Sequence, residues 1–279
     1  MESTHLRAVT PVRPVAAYIG GKRNLAGRLI EMIEAVPHKT YAEPFVGMGG
    51  VFFRRKAAPP AEVINDLSRD VSNLFRVLQE HYAFFLQILQ FQLTTRAEFE
   101  RLVATDPETL TDLKRAARFL YLQRTAFGGK VVGQNFGVSR HRGGAFNVNK
   151  VASLLEAVHE RLADVVIERL PWQAFMARYD TPDTLFYLDP PYFACEGDYG
   201  SDLFDRAQFD EMAQVLGRLQ GRFILSLNDR PEVREIFAGF EILERQTTYT
   251  LSGQAKPAAE LIITGGGRAN AHQAAERPT

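Results

Sequence analysis

The chain has 279 residues, of which 46% are hydrophobic, enough for one large core near the size at which a single core stops growing. Cys195 is the only cysteine, which excludes an intrachain disulfide and a cysteine-based metal cluster, and the six histidines show no ligand-like pairing. Thirty-three basic and 33 acidic residues leave no net charge, so a polyanion partner would need an uneven charge distribution.

In chain order, residues 1–14 carry Pro11, Arg13 and Pro14 without periodicity and read as a flexible extended arm. Leu25, Leu29, Ile30, Ile33 and Val36 recur at helical spacing, predicting a helix from Asn24 to Val36 that Pro37 stops. A strand is expected around Tyr41 to Pro44, then a glycine-rich turn at Gly47 to Gly50 and a helix from near Val51. A second strand over Glu62 to Ile64 runs into Asn65 and Asp66, and Val71 to Leu89 reads as one helix. Strand and helix alternate as in a parallel sheet with crossover helices.

The middle of the chain differs. Leu113 to Arg124 reads as a basic amphipathic helix, and Phe127 to Asn149 as an irregular loop or hairpin rich in Gly, Asn, Phe and Val. Between Asp112 and Glu156 stand Lys114, Arg115, Arg118, Arg124, Lys130, Arg140, Arg142 and Lys150 with no acid among them, a stretch able to form a local positive face. After a helix over Val151 to Leu162, strands are predicted at Val165 to Glu168, Thr184 to Leu188, Phe223 to Ser226 and Leu261 to Thr264, with disorder after Gly265. The expected division is a catalytic domain over 15–70 and 151–265, a mostly helical insertion with a hairpin loop over 71–150, and a disordered tail over 266–279. No apolar run is long enough to span a bilayer and no signal peptide opens the chain, so a soluble cytoplasmic protein is expected.

Tyr41-Ala-Glu-Pro-Phe-Val-Gly-Met-Gly-Gly50 places closely spaced glycines between a strand and a helix start, where backbone amides can approach a ligand. Asp66, at the end of the next predicted strand, is suited to accept hydrogen bonds from the hydroxyls of an adenosine ribose. These two features fit a nicotinamide dinucleotide and S-adenosylmethionine equally. Asp189-Pro190-Pro191-Tyr192 makes the choice. Directly after an apolar strand, it can aim the Asp189 carboxylate and the Pro190 carbonyl at one amino group, with Tyr192 stacking on an extruded base. Cys195, nearby, has no evident activating base and is not expected to be a nucleophile.

The segments Tyr18-Ile-Gly-Gly-Lys22, Glu43-Pro-Phe-Val-Gly-Met-Gly49, Asn65-Asp66 and Asp189-Pro-Pro-Tyr192, in this order, resemble the Dam-type family of DNA adenine methylases over roughly residues 15 to 265. Phe119 to Arg124 and Gly144 to Val148 are similar to that family as well. The resemblance implies a Rossmann-like α/β sheet that uses S-adenosylmethionine, no metal, and methyl transfer to N6 of a flipped adenine by direct in-line displacement. It implies cofactor contacts for Tyr18, Lys22, Phe45, Gly47, Gly49, Asp66 and Asp189, and catalytic roles for Asp189, Pro190 and Tyr192. Tyr18 departs from the tryptophan common in that family, although either ring can stack. Double-stranded DNA is the expected partner, with Arg124, Lys130, Asn135, Arg140 and Arg142 as contacts, while Phe127 to Phe136 shows no match that would give the target sequence. A monomer of prokaryotic or phage origin, working alone or beside a separately encoded restriction enzyme, is expected. The alternatives are cytosine-N4 or RNA adenine methylation, and a non-catalytic DNA-binding relative. Aspartate at position 189 favours adenine, and the basic hairpin favours duplex DNA.

Overall fold

The computed structural model describes residues 6–18, 22, 24–127, 130–131, 133–137, 146–194, 204, 206–251 and 254–267. Its centre is a seven-stranded sheet. The strands are β2 (Thr40–Glu43), β4 (Ala61–Asn65), β5 (Val166–Glu168), β6 (Thr184–Leu188), β7 (Arg222–Asn228), β8 (Glu241–Leu251) and β9 (Gln254–Gly266), in the order β5-β4-β2-β6-β7-β9-β8. The run from β5 to β7 is parallel, and β9 enters antiparallel between β7 and β8.

Strand alternation sorts the core onto the two faces of this sheet. Tyr41, Leu185 and Tyr187 pack on one face with Leu29 and Ile33 of α1 (Ala26–Ala35). Ala42, Phe186 and Leu188 pack on the other with Phe175 of α7 (Trp172–Tyr179) and Phe209 of α8 (Ala207–Leu216). Every residue of β6 is buried, which is why Leu-Phe-Tyr-Leu reads as an unbroken apolar run.

The crossover from β4 to β5 holds α2 (Arg69–Glu80), α3 (Tyr82–Leu89), α4 (Arg96–Ala104), α5 (Asp112–Thr125) and α6 (Val148–Leu162). The single helix expected over 71–89 is therefore two. His81, at φ −129° and ψ 24°, turns the axis, and the Tyr82 ring stacks on His159 of α6 at 5.0 Å and 10°. The helix expected from Val51 is a 3-10 turn, Phe52–Arg54, followed by the two-residue strand β3 (Ala57–Ala58). With Phe52 and Phe53 both wholly buried at adjacent positions, the segment has no amphipathic face to present.

Residues 6–14, expected to be a free arm, are docked. The strand β1 (Arg7–Ala8) pairs with β3, the Val12 amide donates to the Phe53 carbonyl, and Val12 and Val15 are buried. At the other end, β9 begins at Gln254, well before the strand expected from Leu261, and Gly266 still pairs with Arg222; residues 268–279 lie outside the described ones. The last helix is α9 (Pro231–Ile236), between β7 and β8, where no strand Glu241–Leu251 was expected.

A buried ionic triad ties the crossover to the sheet. Glu62 of β4 accepts from Arg55 at 2.8 Å and from both terminal nitrogens of Arg161 of α6 at 2.7 Å. The Arg55 guanidinium lies 3.8 Å over the Tyr41 ring, and that of Arg161 lies 4.2 Å over Phe52. Among the described residues no helix is long and apolar enough to cross a membrane.

Candidate active site

Connections from β2 run through β4 to one side of the sheet, while β6 and β7 lie on the other. The carboxyl ends of β2 and β6 therefore flank the point where strand order reverses, the place where open α/β sheets form a crevice. A cavity of about 640 Å³ opens there. Tyr18, Lys22, Phe45, Gly47, Asp66 and Asp189, all expected from sequence at a cofactor site, line it.

Gly47 and Gly49 sit at φ +49° and +69°, the left-handed region that a side chain strains. A Cβ on Gly47 would lie 3.1 Å from the Tyr18 ring, so the missing side chain is what lets ring and turn share the cavity wall. On Gly49 it would lie 2.3 Å from the Phe53 ring. Gly49 is not among the lining residues, so the structure gives it a packing role where a cofactor contact was expected.

Asp66 secures the turn. Its carboxylate accepts from the Gly47 amide and from the Ser68 amide, each at 2.9 Å, which also fixes the entry to α2. Burial pushes its pKa up to about 6 against the pull of those two amides. Aromatic rings line the same cavity: Phe45 is 6.5 Å from Trp172 and 5.9 Å edge-on from Phe204.

Asp189 follows β6 directly. Lys22 Nζ stands 2.5 Å from its Oδ1, and Ser226 of β7 donates to the same oxygen at 3.3 Å. Burial raises the Asp189 pKa, and the Lys22 ammonium opposes that shift. Lys22 also donates to the Tyr192 hydroxyl at 2.7 Å and lies 4.2 Å from the centroid of its ring. Pro191 lines the cavity, and Tyr192 beyond it in the turn is half-buried. The turn is clamped by Asn228, whose side chain accepts from the Phe193 amide and donates to the Phe193 carbonyl, both at 3.0 Å.

Three site residues escaped the sequence reading of roles. Glu43 ends β2 on the cavity wall, 2% exposed, and accepts from the Tyr41 hydroxyl at 2.6 Å. Burial foremost, with the Asp189 charge adding, raises its pKa to about 8. Asn228 and Glu260, a buried carboxyl on β9, are the others. Glu43 opens a segment that resembles the family, whereas an acid at the head of an apolar strand end is the signal that Glu260 offers.

On the insertion, Arg124 lines the cavity and donates to the Val15 carbonyl, so this expected DNA contact is engaged within the protein. Lys130 and Asn135 are exposed on a hairpin closed by the Ala126–Phe136 bridge and by the Phe127 amide on the Asn135 carbonyl at 2.9 Å. Arg140 and Arg142 lie outside the described residues, as does Cys195. Two members of the expected positive face are corrected. Arg115 is buried against Asp70 at 2.5 Å and Glu108 at 2.7 Å, and Arg118 donates to the Leu102 carbonyl at 2.7 Å. Arg115 thus finds its acids on other segments, and Arg118 a backbone carbonyl.

The family model of D12 class N6 adenine-specific DNA methyltransferases matches residues 18–251. The type II methyltransferase M1.LlaDCHI of Lactococcus lactis subsp. cremoris is 25% identical over 91% of this chain and 95% of its own. M.CviBI, a type II methyltransferase of Paramecium bursaria Chlorella virus NC1A, is 22% identical over 85% and 91%. The DNA N-6-adenine-methyltransferase of Escherichia phage P1 is 27% identical over 82% of this chain and 32% of that protein.

Proposed function

The chain belongs to the D12 class N6 adenine-specific DNA methyltransferase family, and from that premise we propose how its cavity performs the reaction. The family's methyl donor is S-adenosylmethionine, which supplies an electrophilic methyl on a sulfonium. The glycine turn, Asp66 and the aromatic wall of Phe45 and Trp172 suit an adenosine: a carboxylate for ribose hydroxyls, amides at the turn, and a flat apolar slot. Glu43 and Lys22 are oppositely charged or chargeable groups for the amino-acid end.

Asp189 carries the reading. It is held at the cavity rim by β6 and Ser226, beside a turn fixed by Asn228. There its carboxylate and the Pro190 carbonyl accept hydrogen bonds from the adenine amino group. Such bonds draw the nitrogen lone pair out of ring conjugation and stabilise the positive charge that develops on it. Tyr192 supplies a face for the extruded base. No step in this reading calls for a metal. Residues 71–150 form the target-recognition part, with Lys130, Asn135, Arg140 and Arg142 toward double-stranded DNA. The protein acts as a monomer in the cytoplasm, and the type II relatives favour a separately encoded restriction enzyme as its companion.

The test is methylation of unmethylated plasmid by purified protein with labelled S-adenosylmethionine, followed by nucleoside mass analysis. N6-methyladenine at one recurrent short site is expected, and Asp189→Ala should abolish it while the thermal unfolding curve stays cooperative. N4-methylcytosine, label on RNA alone, or a folded Asp189→Ala with near-normal turnover would overturn the assignment.

A further inference from the structure

Behind Asp189 a chain of polar groups leads away from the cavity. Lys22 Nζ contacts Asp189 Oδ1 at 2.5 Å and donates to the Tyr192 hydroxyl at 2.7 Å. That hydroxyl donates in turn to the carboxylate of Glu260. Glu260 is 2% exposed, does not line the cavity, and keeps its Oε2 buried without a hydrogen-bond partner among the described residues. An unfilled buried acceptor is costly to retain for packing alone. Among the described residues, the charged groups acting on Glu260 are Lys22 and Asp189. Of its cross-strand partners, Arg245 on β8 turns a guanidinium nitrogen to the Glu244 carbonyl, and Asn228 on β7 is taken up by Phe193.

We propose that Glu260 is the terminal acceptor of the proton released when the adenine amine is methylated, reached from Asp189 through Lys22 and Tyr192. The proposal rests on the reading of Asp189 above. As the S–CH3 bond breaks and the C–N6 bond forms, N6 becomes cationic, and one N6–H bond breaks toward Asp189 with its electron pair left on nitrogen. Lys22 passes a proton to the Tyr192 oxygen, Tyr192 passes its own to Glu260, and the proton on Asp189 refills Lys22. The net change is one carboxylate, Glu260, becoming a carboxylic acid. Before transfer the Lys22, Asp189 and Glu260 cluster carries one net negative charge beside a cationic methyl donor. Afterwards the cluster is neutral, as is the thioether left behind. Tyr192, whose pKa burial drives far upward, relays the proton without dwelling as a phenolate.

Glu260 acts through Tyr192 and touches neither base nor donor, so its role shows in pH dependence. In the wild type, the single-turnover rate should fall as pH drops and Glu260, whose pKa burial raises, becomes protonated. Glu260→Gln should be ~100-fold slower and lack that acid limb, with Tyr192→Phe matching it and the double variant no slower than either. Glu260→Asp should restore a limb. In the cofactor-free protein, the 13C shift of the Tyr192 ring carbon bearing oxygen should titrate with Glu260 and become flat in Glu260→Gln. A Glu260→Gln that keeps the wild-type limb, whatever its rate, overturns the relay. Should Glu260→Gln not fold, a Glu260→Asp with an unmoved limb and an unmoved Tyr192 titration overturns it equally. Absence of DNA methylation by the wild type would instead overturn the reading of Asp189.

Discussion

At the carboxyl end of β2, Glu43 holds a proton in the folded protein that the unfolded chain gives up. Its pKa rises from 4.5 to about 8 on folding, chiefly through burial. Between those values the folded state binds more protons than the unfolded one, so stability declines as pH rises through the window, by up to ~1.4 kcal/mol for each pH unit. Glu43→Gln keeps the shape and the acceptor for Tyr41 without the titration. It should equal the wild type in urea unfolding near pH 4.5 and exceed it by a few kcal/mol near pH 8. The same variant should bind S-adenosylmethionine more weakly, since a positively charged ligand is what makes an ionised carboxylate favourable there. Arg115 is a second residue whose surroundings overrule its sequence context. Arg115→Ala removes one side of a buried pair with Asp70 and should cost roughly 3 kcal/mol of stability, leaving the salt dependence of DNA binding unchanged. Lys130→Ala, on the exposed hairpin, should lower the magnitude of that salt slope by about one and leave stability unchanged, as fluorescence anisotropy across salt concentrations will read.

Within the strand-to-turn segment after β2, two glycines of like conformation have different neighbours. Gly49→Ala meets the wholly buried Phe53 ring at 2.3 Å, and strain and overpacking together should lower stability by more than ~2 kcal/mol in thermal melts. Gly47→Ala meets a half-buried Tyr18 ring that can yield, so it should weaken cofactor affinity, measured calorimetrically, more than it lowers stability. Sequence reasoning paired these glycines because spacing shows that a turn is tight and not what presses on it. β6 was read to its residue bounds because an interior parallel strand is a near-continuous apolar run, and β2 to within one because Pro44 follows its end. β8 was missed: Glu241, Glu244, Arg245 and Gln246 face solvent at the edge of the sheet, and their pairing comes from β9, not from local pattern. The break at His81 likewise depends on His159, the burial of Glu43 and Glu260 depends on strands remote in sequence, and the role of Asn228 depends on the turn at Phe193. Asp66 and Asp189 were legible because each is a charge at the end of an apolar strand, whereas Lys22 was reached only through the family resemblance.

Across the whole molecule one apolar cluster runs from Leu29 and Ile33 through Tyr41 and Ile64 to Leu74, Phe85, Leu120 and Leu155. The sheet and the helices of the crossover therefore share a core, and the Arg55–Glu62–Arg161 triad lies at their seam. Urea unfolding followed by far-ultraviolet circular dichroism and by the emission of Trp172, which packs on the opposite face of the sheet, should give coincident transitions. An earlier transition in one signal would mean that the crossover helices form a separate unit. A shared core also limits how such an enzyme can acquire new targets. Grafting α2 to α6 from a relative would import side chains shaped for another sheet and leave Glu62 facing a mismatched seam. Exchange of the residues between Ala126 and Phe136 alone, closed at their base by the bridge those two form, leaves that seam untouched. With the insertion read as the target-recognition part, divergence of recognition, in evolution or in the laboratory, is thereby channelled into this hairpin.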